Sequence, residues 1–273
     1  MDNTSGVDVN ALVKKNFYEY IDFGCSSGNS ISHFGKLFDA KGKGLGLDID
    51  PEKVKKATDS GCDAVVCDLT KLSLDTKVRF CVLNHFLEHV PDINDVGRII
   101  INACQVSSEF VFIKQPYFDA DSYLFTEGFK FYWSSWGGHP NHMTLLEFHN
   151  ILWPLAEKGL INRYCIYGNN RVTDSRDITI HNLDSPIDQH GHDEDMHSEK
   201  RFINFDFPVY QEIMAIIDVS GGNMEMLEKK SMPTIKLFDS LSPENVDKFK
   251  VARPPLYIRI PRKFRKLIID IIR

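Results

Sequence analysis

The sequence predicts a doubly wound α/β fold, a mostly parallel seven-stranded sheet covered by helices on both faces. Three observations predict it. Short continuous apolar runs recur between Phe17 and Pro116, as strands buried on both faces do. Amphipathic segments of helical period separate them, which is the pattern of βαβ units. Successive runs end in acidic or polar residues, and ligands of open α/β sheets gather beyond the carboxyl ends of the strands.

The elements follow in order. Residues 17–23 read as the first strand. Residues 30–39 are amphipathic, with Ile31, Phe34, Leu37 and Phe38 on one side. Residues 44–48 form the second strand. Pro51 then opens a helix through Ala57, at a position where its missing N–H costs nothing. The third and fourth strands are 64–67 and 78–83. A helix at 95–103 runs through Val96, Ile99, Ile100 and Ala103, and 110–113 is the fifth strand. After Pro116 the pattern loosens: residues 119–141 are aromatic and glycine-bearing, as a lid or substrate loop is. A helix at 144–156 and a sixth strand at 160–166 follow. Residues 168–206 are polar and rich in His, Asp and Asn, and 209–217 is the last strand, with a helix as the alternative. This divides the chain into a core (1–168), a polar insertion (169–206), a completion of the sheet (207–247) and a basic C-terminal segment (248–273), which holds nine Lys/Arg against one Asp.

Composition narrows the function classes. A chain of 273 residues, 42% hydrophobic, can bury about 75% of its unfolded surface and needs no staples. Disordered, collagen-like and disulfide-rich classes are excluded. With 32 basic against 38 acidic residues and a net charge of −6, no nucleic-acid partner is expected, because phosphate neutralisation needs a basic face. No run approaches the roughly 20 apolar residues of a membrane span, and the first ten residues, MDNTSGVDVN, show no secretory signal. The six cysteines lack CxxC spacing and read as buried thiols of a reducing compartment. The expectation is a cytoplasmic protein.

The chemistry concentrates at the strand ends. The first strand runs into Asp22-Phe23-Gly24-Cys25-Ser26-Ser27-Gly28, a glycine-bearing turn that brings backbone N–H groups close to a ligand. Its glycines are four apart, Ser26 stands where a middle glycine belongs in a dinucleotide site, and Asp22 suits a cationic ligand and repels a pyrophosphate. Asp48, 26 residues on, can accept from both hydroxyls of a ribose. Asp68 ends the third strand, in position to accept from an adenine amino group. The fourth strand leads into Asn84-His85-Phe86-Leu87-Glu88-His89-Val90-Pro91-Asp92. Singly, Asp22 and Asp48 read equally as helix caps or surface acids, Asp68 as a strand terminus, and His89 as a packing or capping residue.

Taken together and in this order, DFGCSSG, GLDID, VVCDL and NHFLEHVPD resemble the motifs of class I S-adenosylmethionine-dependent methyltransferases, over residues 17–166. The resemblance implies a Rossmann-like fold and S-adenosyl-L-methionine as cofactor. It implies that Asp22, Gly24, Cys25, Ser26 and Gly28 wrap the methionine part, Asp48 holds the ribose, Asp68 and Leu69 the adenine, and Asn84 and His85 the near side, with Ile49 also among the cofactor-binding residues. Two departures stand out: Ser26 replaces the family's usual glycine, and a first strand at residue 17 leaves no room for N-terminal lid helices, so cover must come from beyond Pro116.

On the acceptor side, Gly138-His139 and His142-Met143-Thr144 resemble a stretch beyond the fifth strand in small-molecule members of that family. Methyl transfer from a sulfonium is an in-line displacement that needs alignment and, for a hydroxyl, removal of a proton. His139 and His142 are the candidate catalytic residues; the alternatives are that His139 anchors the loop and His142 caps the helix. Tyr132, Trp133 and Trp136 are candidates for an acceptor wall or for loop core. His181, His190, His192 and His197 among acidic residues are conceivable metal ligands, but they match no ligand spacing and read as a solvated loop, so no metal is expected. The segment from Arg262 to Arg273 either touches an anionic membrane surface or a partner or packs its Leu/Ile face on the domain. The predicted activity is methyl transfer to a small-molecule acceptor, a hydroxyl of a sugar, polysaccharide precursor or secondary metabolite. The rivals are a protein or RNA methyltransferase, disfavoured because Asn84-His85-Phe86-Leu87 replaces the Asn/Asp-Pro-Pro-Tyr type of motif, and a non-catalytic cofactor-binding module. A nicotinamide dehydrogenase is disfavoured by the glycine spacing.

Overall fold

The computed structural model describes residues 8–222, 224–233 and 235–241. Its strands are β1 (Tyr20–Phe23), β2 (Gly44–Asp48), β3 (Ala64–Val66), β4 (Val78–Asn84), β5 (Ser107–Pro116), β6 (Phe129–Phe131), β7 (Arg163–Asp174), β8 (Ile180–Asn182), β9 (Asn204–Asp218) and β10 (Ile235–Asp239). Its helices are α1 (Val9–Asn16), α2 (Asn29–Leu37), α3 (Pro51–Asp59), α4 (Ile93–Val106), α5 (Asp121–Thr126), α6 (Leu145–Glu157) and α7 (Met224–Ser231). The main sheet runs in the order β10-β7-β9-β5-β4-β1-β2-β3, and β6 pairs with β8 in a small ribbon. From β5 to β3 every pairing is parallel. β9 then inserts antiparallel between β5 and β7.

The parallel strands are apolar along their whole length because helices cover both faces. Ile21, Phe23, Leu45, Leu47, Cys81 and Leu83 join α4 and α6 in one core cluster. Tyr20, Phe80, Val82, Phe110 and Phe112 pack with Phe34 and Phe38 in the other. Helix starts follow their caps. Asp50 accepts N–H bonds from Glu52 and Lys53 at 2.8 and 3.2 Å ahead of Pro51, and Asp92 accepts from Asn94 at 2.8 Å. At α6 the Glu147 carboxylate accepts the Thr144 N–H at 2.6 Å. Each fills backbone donors that a helix leaves open at its first turn.

Several expectations need correction. Among the described residues the main sheet has eight strands, not seven; β10 adds at the β7 edge. The first strand begins at Tyr20, not residue 17, and a helix does precede it. Asp8 accepts from the Ala11 N–H at 3.1 Å to start α1, and Phe17, at φ 53°, ends it. Residues 119–141 are not an open loop; they hold α5, β6 and a 3-10 turn at Tyr132–Ser135. β7 and β9 extend into the stretch read as a polar insertion, pairing as far as Asp174 with Asn204. Residues 209–217 are strand, since pairing on both sides holds β9 extended. All six cysteines are free. Among the described residues no helix is long and apolar enough to cross a membrane. The basic segment 248–273 lies outside the described residues.

Candidate functional site

Two cavities open side by side beyond the carboxyl ends of β1–β5. The first, about 440 Å³, is lined by Gly24, Ser26, Asp48, Ile49, Asp68 and Leu69 on one side, and by His85, Phe86 and the start of α4 on the other. The second, about 340 Å³, is lined by His85, Glu88, His89, the aromatic residues Tyr132, Trp133 and Trp136, His139, Thr179, and Gln211 with Glu212 of β9. His85 and His89 line both.

The first cavity is shaped by main chain. Asp48 Oδ2 accepts the Ser26 N–H at 2.8 Å and its Oδ1 accepts that of Asp50 at 3.0 Å, so one carboxylate closes two turns. Ser26 sits at φ 50°, a left-handed conformation that costs a side-chain-bearing residue roughly 1–2 kcal/mol; the charge-assisted bond from Asp48 offsets it. Gly24, at φ 76°, admits no side chain, because a Cβ there would lie 2.3 Å from the Phe86 ring. Asp68 accepts from the Thr70 N–H and hydroxyl at 3.1 and 2.7 Å and pairs with Lys71 at 2.8 Å. These partners hold its carboxyl below the usual range against the opposing effect of partial burial. Ile49 is 63% exposed, an apolar side chain left open on the cavity wall.

Asp22, Cys25, Gly28 and Asn84 lie behind that lining. Asp22 is 1% exposed. Its Oδ2 accepts the Ser30 hydroxyl, while Oδ1 has no partner among the described residues. Burial pushes its carboxyl up to about 7; the Ser30 bond works against this and the neighbouring Asp48 charge adds to it. Asn84 Oδ1 is likewise buried without a partner.

The second cavity is shaped by side chains from distant segments. The 3-10 turn Leu87–His89 follows β4, and the loop after Trp136 is pinned to it: the Asn141 N–H donates to the Glu88 carbonyl at 3.2 Å, and Asn141 Nδ2 donates to Leu87 O at 3.1 Å. This brings the His139 and His89 rings to 4.9 Å between centroids. His139 is buried, its Nδ1 is 3.2 Å from the Trp133 carbonyl, and burial lowers its pKa, though the Glu88 charge opposes this. His142 lies outside both cavities. It stacks on Phe118 at 4.3 Å with Nδ1 3.5 Å from Asp121, so the two candidate catalytic histidines are not brought together.

Between the cavities, His85 holds Nδ1 3.4 Å from Glu88 and Nε2 3.1 Å from Glu212. Burial alone would favour the neutral imidazole, but the two carboxylates outweigh it and raise the pKa to about 9. Glu212 also pairs with Lys114 at 2.9 Å and accepts from Asn169 at 2.8 Å. Despite burial, the hydrogen bond from His85, the Lys114 charge and the Asn169 amide keep its carboxyl down at about 2. Glu88, Gln211 and Glu212 are the residues that sequence reasoning missed, and His89 was read as packing. A signal for β9 was present: Gln211-Glu212 interrupts the otherwise apolar run from Val209 to Ile217.

Part of the chain is similar to known proteins. Residues 21–111 match the family model of a methyltransferase domain. Similar solved structures include a SAM dependent methyltransferase from Archaeoglobus fulgidus, 14% identical over 77% of this chain and 92% of that one, with a TM-score of 0.48. Another is the magnesium protoporphyrin IX methyltransferase of Synechocystis PCC 6803 with bound SAH, 12% identical over 78% of this chain and 80% of that one, with a TM-score of 0.43. No curated protein sequence matches. The matched stretch runs from β1 into β5 and contains the turn at Gly24, the acid at Asp48 and the strand end at Asn84, so this third of the chain is similar to a methyltransferase domain.

Proposed function

We propose that the chain transfers the methyl group of S-adenosylmethionine to an oxygen of a small-molecule acceptor, with the cofactor in the 440 Å³ cavity and the acceptor in the 340 Å³ cavity. The observation that carries this reading is the adjacency of the two cavities across His85 and His89. In-line displacement needs sulfonium, methyl carbon and nucleophile on one axis, and two adjoining chambers supply that alignment, worth up to about 7–11 kcal/mol when the geometry is near attack. Asp48 takes the ribose hydroxyls, Ile49 and Leu69 border the adenine, and Asp22, buried just behind the turn at Gly24, supplies a negative charge that suits the ammonium of the methionine part. The acceptor lies against Tyr132, Trp133 and Trp136, whose flat faces suit an aromatic ring or the apolar face of a sugar. Its hydroxyl meets the basic groups Glu88, His89 and His139, which draw its proton away as the methyl group leaves sulfur.

Two measurements test this. Titration calorimetry with S-adenosylmethionine, S-adenosylhomocysteine and NAD is expected to show micromolar binding of the first two and none of the third. Mass spectrometry of reactions with phenolic, sugar and amine acceptors is expected to show methyl ethers and released S-adenosylhomocysteine. Binding without product on any acceptor would make the chain a cofactor-binding module, and product on amines alone would overturn the oxygen assignment.

A further inference from the structure

We infer that Glu88, His89 and His139 form a binding site for a divalent transition-metal cation at the floor of the acceptor cavity. This rests on the proposed function for the acceptor's identity but not for the site itself. One donor atom from each of the three residues lies within 4.8 Å of the donor atoms of the other two, the separation that ligands around a single ion require. The protonation pattern is set by the main chain. His89 Nδ1 lies 2.6 Å from the Gly138 carbonyl and His139 Nδ1 lies 3.2 Å from that of Trp133. A carbonyl only accepts, so each Nδ1 carries the hydrogen and each Nε2 keeps a free lone pair. Backbone carbonyls fix metal-binding histidines in this way. Glu88 is 1% exposed, and its Oε2 has no hydrogen-bond partner among the described residues. A buried carboxylate oxygen left open in this way is costly unless a cation or donor fills the place.

The scaffold is rigid where the site needs it. Glu88 and His89 are adjacent on the 3-10 turn, and Asn141 ties the loop bearing His139 to the backbone of that same turn. Two imidazoles and one carboxylate, with a cavity at the remaining positions, are the donor set of open transition-metal sites and suit zinc, manganese, iron or cobalt better than magnesium or calcium. An acceptor hydroxyl reaching a cation there would lose its proton to solvent near neutral pH. Its oxygen lone pair then forms the bond to the methyl carbon as the carbon–sulfur bond breaks and its electron pair returns to sulfur. The products are the methyl ether and S-adenosylhomocysteine, with the cation unchanged. The three residues thus act jointly on the hydroxyl, in place of one acting as a lone base.

The test is metal binding, read independently of turnover. Purified full-length protein is stripped with a chelator and titrated calorimetrically with Zn²⁺, Mn²⁺ and Mg²⁺ separately. The expected result is one Zn²⁺ or Mn²⁺ per chain, with far weaker Mg²⁺ binding. Glu88→Gln and His139→Asn are each expected to weaken the site by more than about 100-fold, since changing even an outer partner of a ligand costs 10–100-fold. His33→Ala, an exposed histidine on α2, leaves it unchanged. Circular dichroism checks that the variants fold. If they do not, the absorption bands of the Co²⁺-loaded wild type report nitrogen and oxygen ligation directly. No stoichiometric binding, or binding indifferent to Glu88→Gln and His139→Asn in folded protein, overturns the site. Full turnover by chelated protein overturns its catalytic part while leaving methyl transfer standing. Stoichiometric metal binding with no product on any acceptor upholds the site and sinks the methyl-transfer reading instead.

Discussion

The cavity over the ends of β1–β4 takes its form from turns: Gly24 at positive φ, Ser26 held by Asp48, and Asp50 starting a helix. The cavity beside it takes its form from side chains that arrive on a 3-10 turn, an aromatic loop and a strand more than a hundred residues further on. Turns of the first kind sit at the ends of adjacent paired strands and are tied through the main chain, so their geometry is repeatable. The second kind depends on packing between remote segments, which makes it the part of the molecule free to change with the acceptor. Substitutions on one side are therefore expected to leave the other side's constants alone.

The largest expected effect lies on the acceptor side. His139→Ala is expected to lower kcat by roughly 10²–10⁴-fold, the range of a lost proton-handling group, while the calorimetric affinity for S-adenosylmethionine stays within about twofold. An equal fall in both would merge the two cavities into one unit. Next comes Asp48→Ala, with a roughly 100-fold loss of cofactor affinity. That is about 2.7 kcal/mol, the scale of hydrogen bonds to a charged group. The acceptor KM, taken at saturating cofactor, should barely move; a large rise would mean that the turn at Ser26 also shapes the acceptor wall. Smaller is Trp136→Ala, expected to raise acceptor KM by about tenfold, as loss of one aromatic contact does, without changing cofactor binding.

The smallest effect is a pH dependence that belongs to the cofactor side. Burial raises the Asp22 carboxyl to about 7, above the 3.8 of the unfolded chain. A raised acid pKa gives stability that is complete below about 4 and is lost as pH climbs through about 7, because the folded state must then bury a charge that the unfolded state carries freely. A bound methionine ammonium reverses that penalty. Cofactor affinity should therefore rise a few-fold between about pH 6 and 7.5, and Asp22→Asn should flatten the rise. A slope that survives Asp22→Asn would place the titrating group elsewhere.

Legibility in sequence followed the same division. That Gly24, Asp48 and Asp68 border one cavity was readable because strand, turn and helix are contiguous and the acids fall at strand ends, whereas Asp22 is buried behind that lining. His139 and the aromatic trio were readable as residue types but not as a cavity, since nothing local says that Asn141 pins their loop to Leu87 and Glu88. Glu88 and His89 lay inside a motif already noticed, yet their meaning depends on a histidine fifty residues away. β10 escaped notice because Ile235–Asp239 is five residues long and acquires its strand character from β7 alone. His142, so close to His139 in sequence, faces Phe118 and Asp121 instead.

The paired ends of β7 and β9, Asp174 opposite Asn204, have a consequence for how this scaffold diversifies. Chain that leaves the sheet at one of two hydrogen-bonded neighbours and re-enters at the other spans almost no distance, so its length is nearly unconstrained; doubling such an excursion costs only about 0.6 kcal/mol in closure entropy. The segment between them already contributes Thr179 to the acceptor cavity and sets His190 against Trp136 at 4.8 Å. On the proposed function, sequence changes within residues 175–203 that keep the β6–β8 pairing and the buried Ile180 redraw one wall of the acceptor chamber from outside the matched residues 21–111.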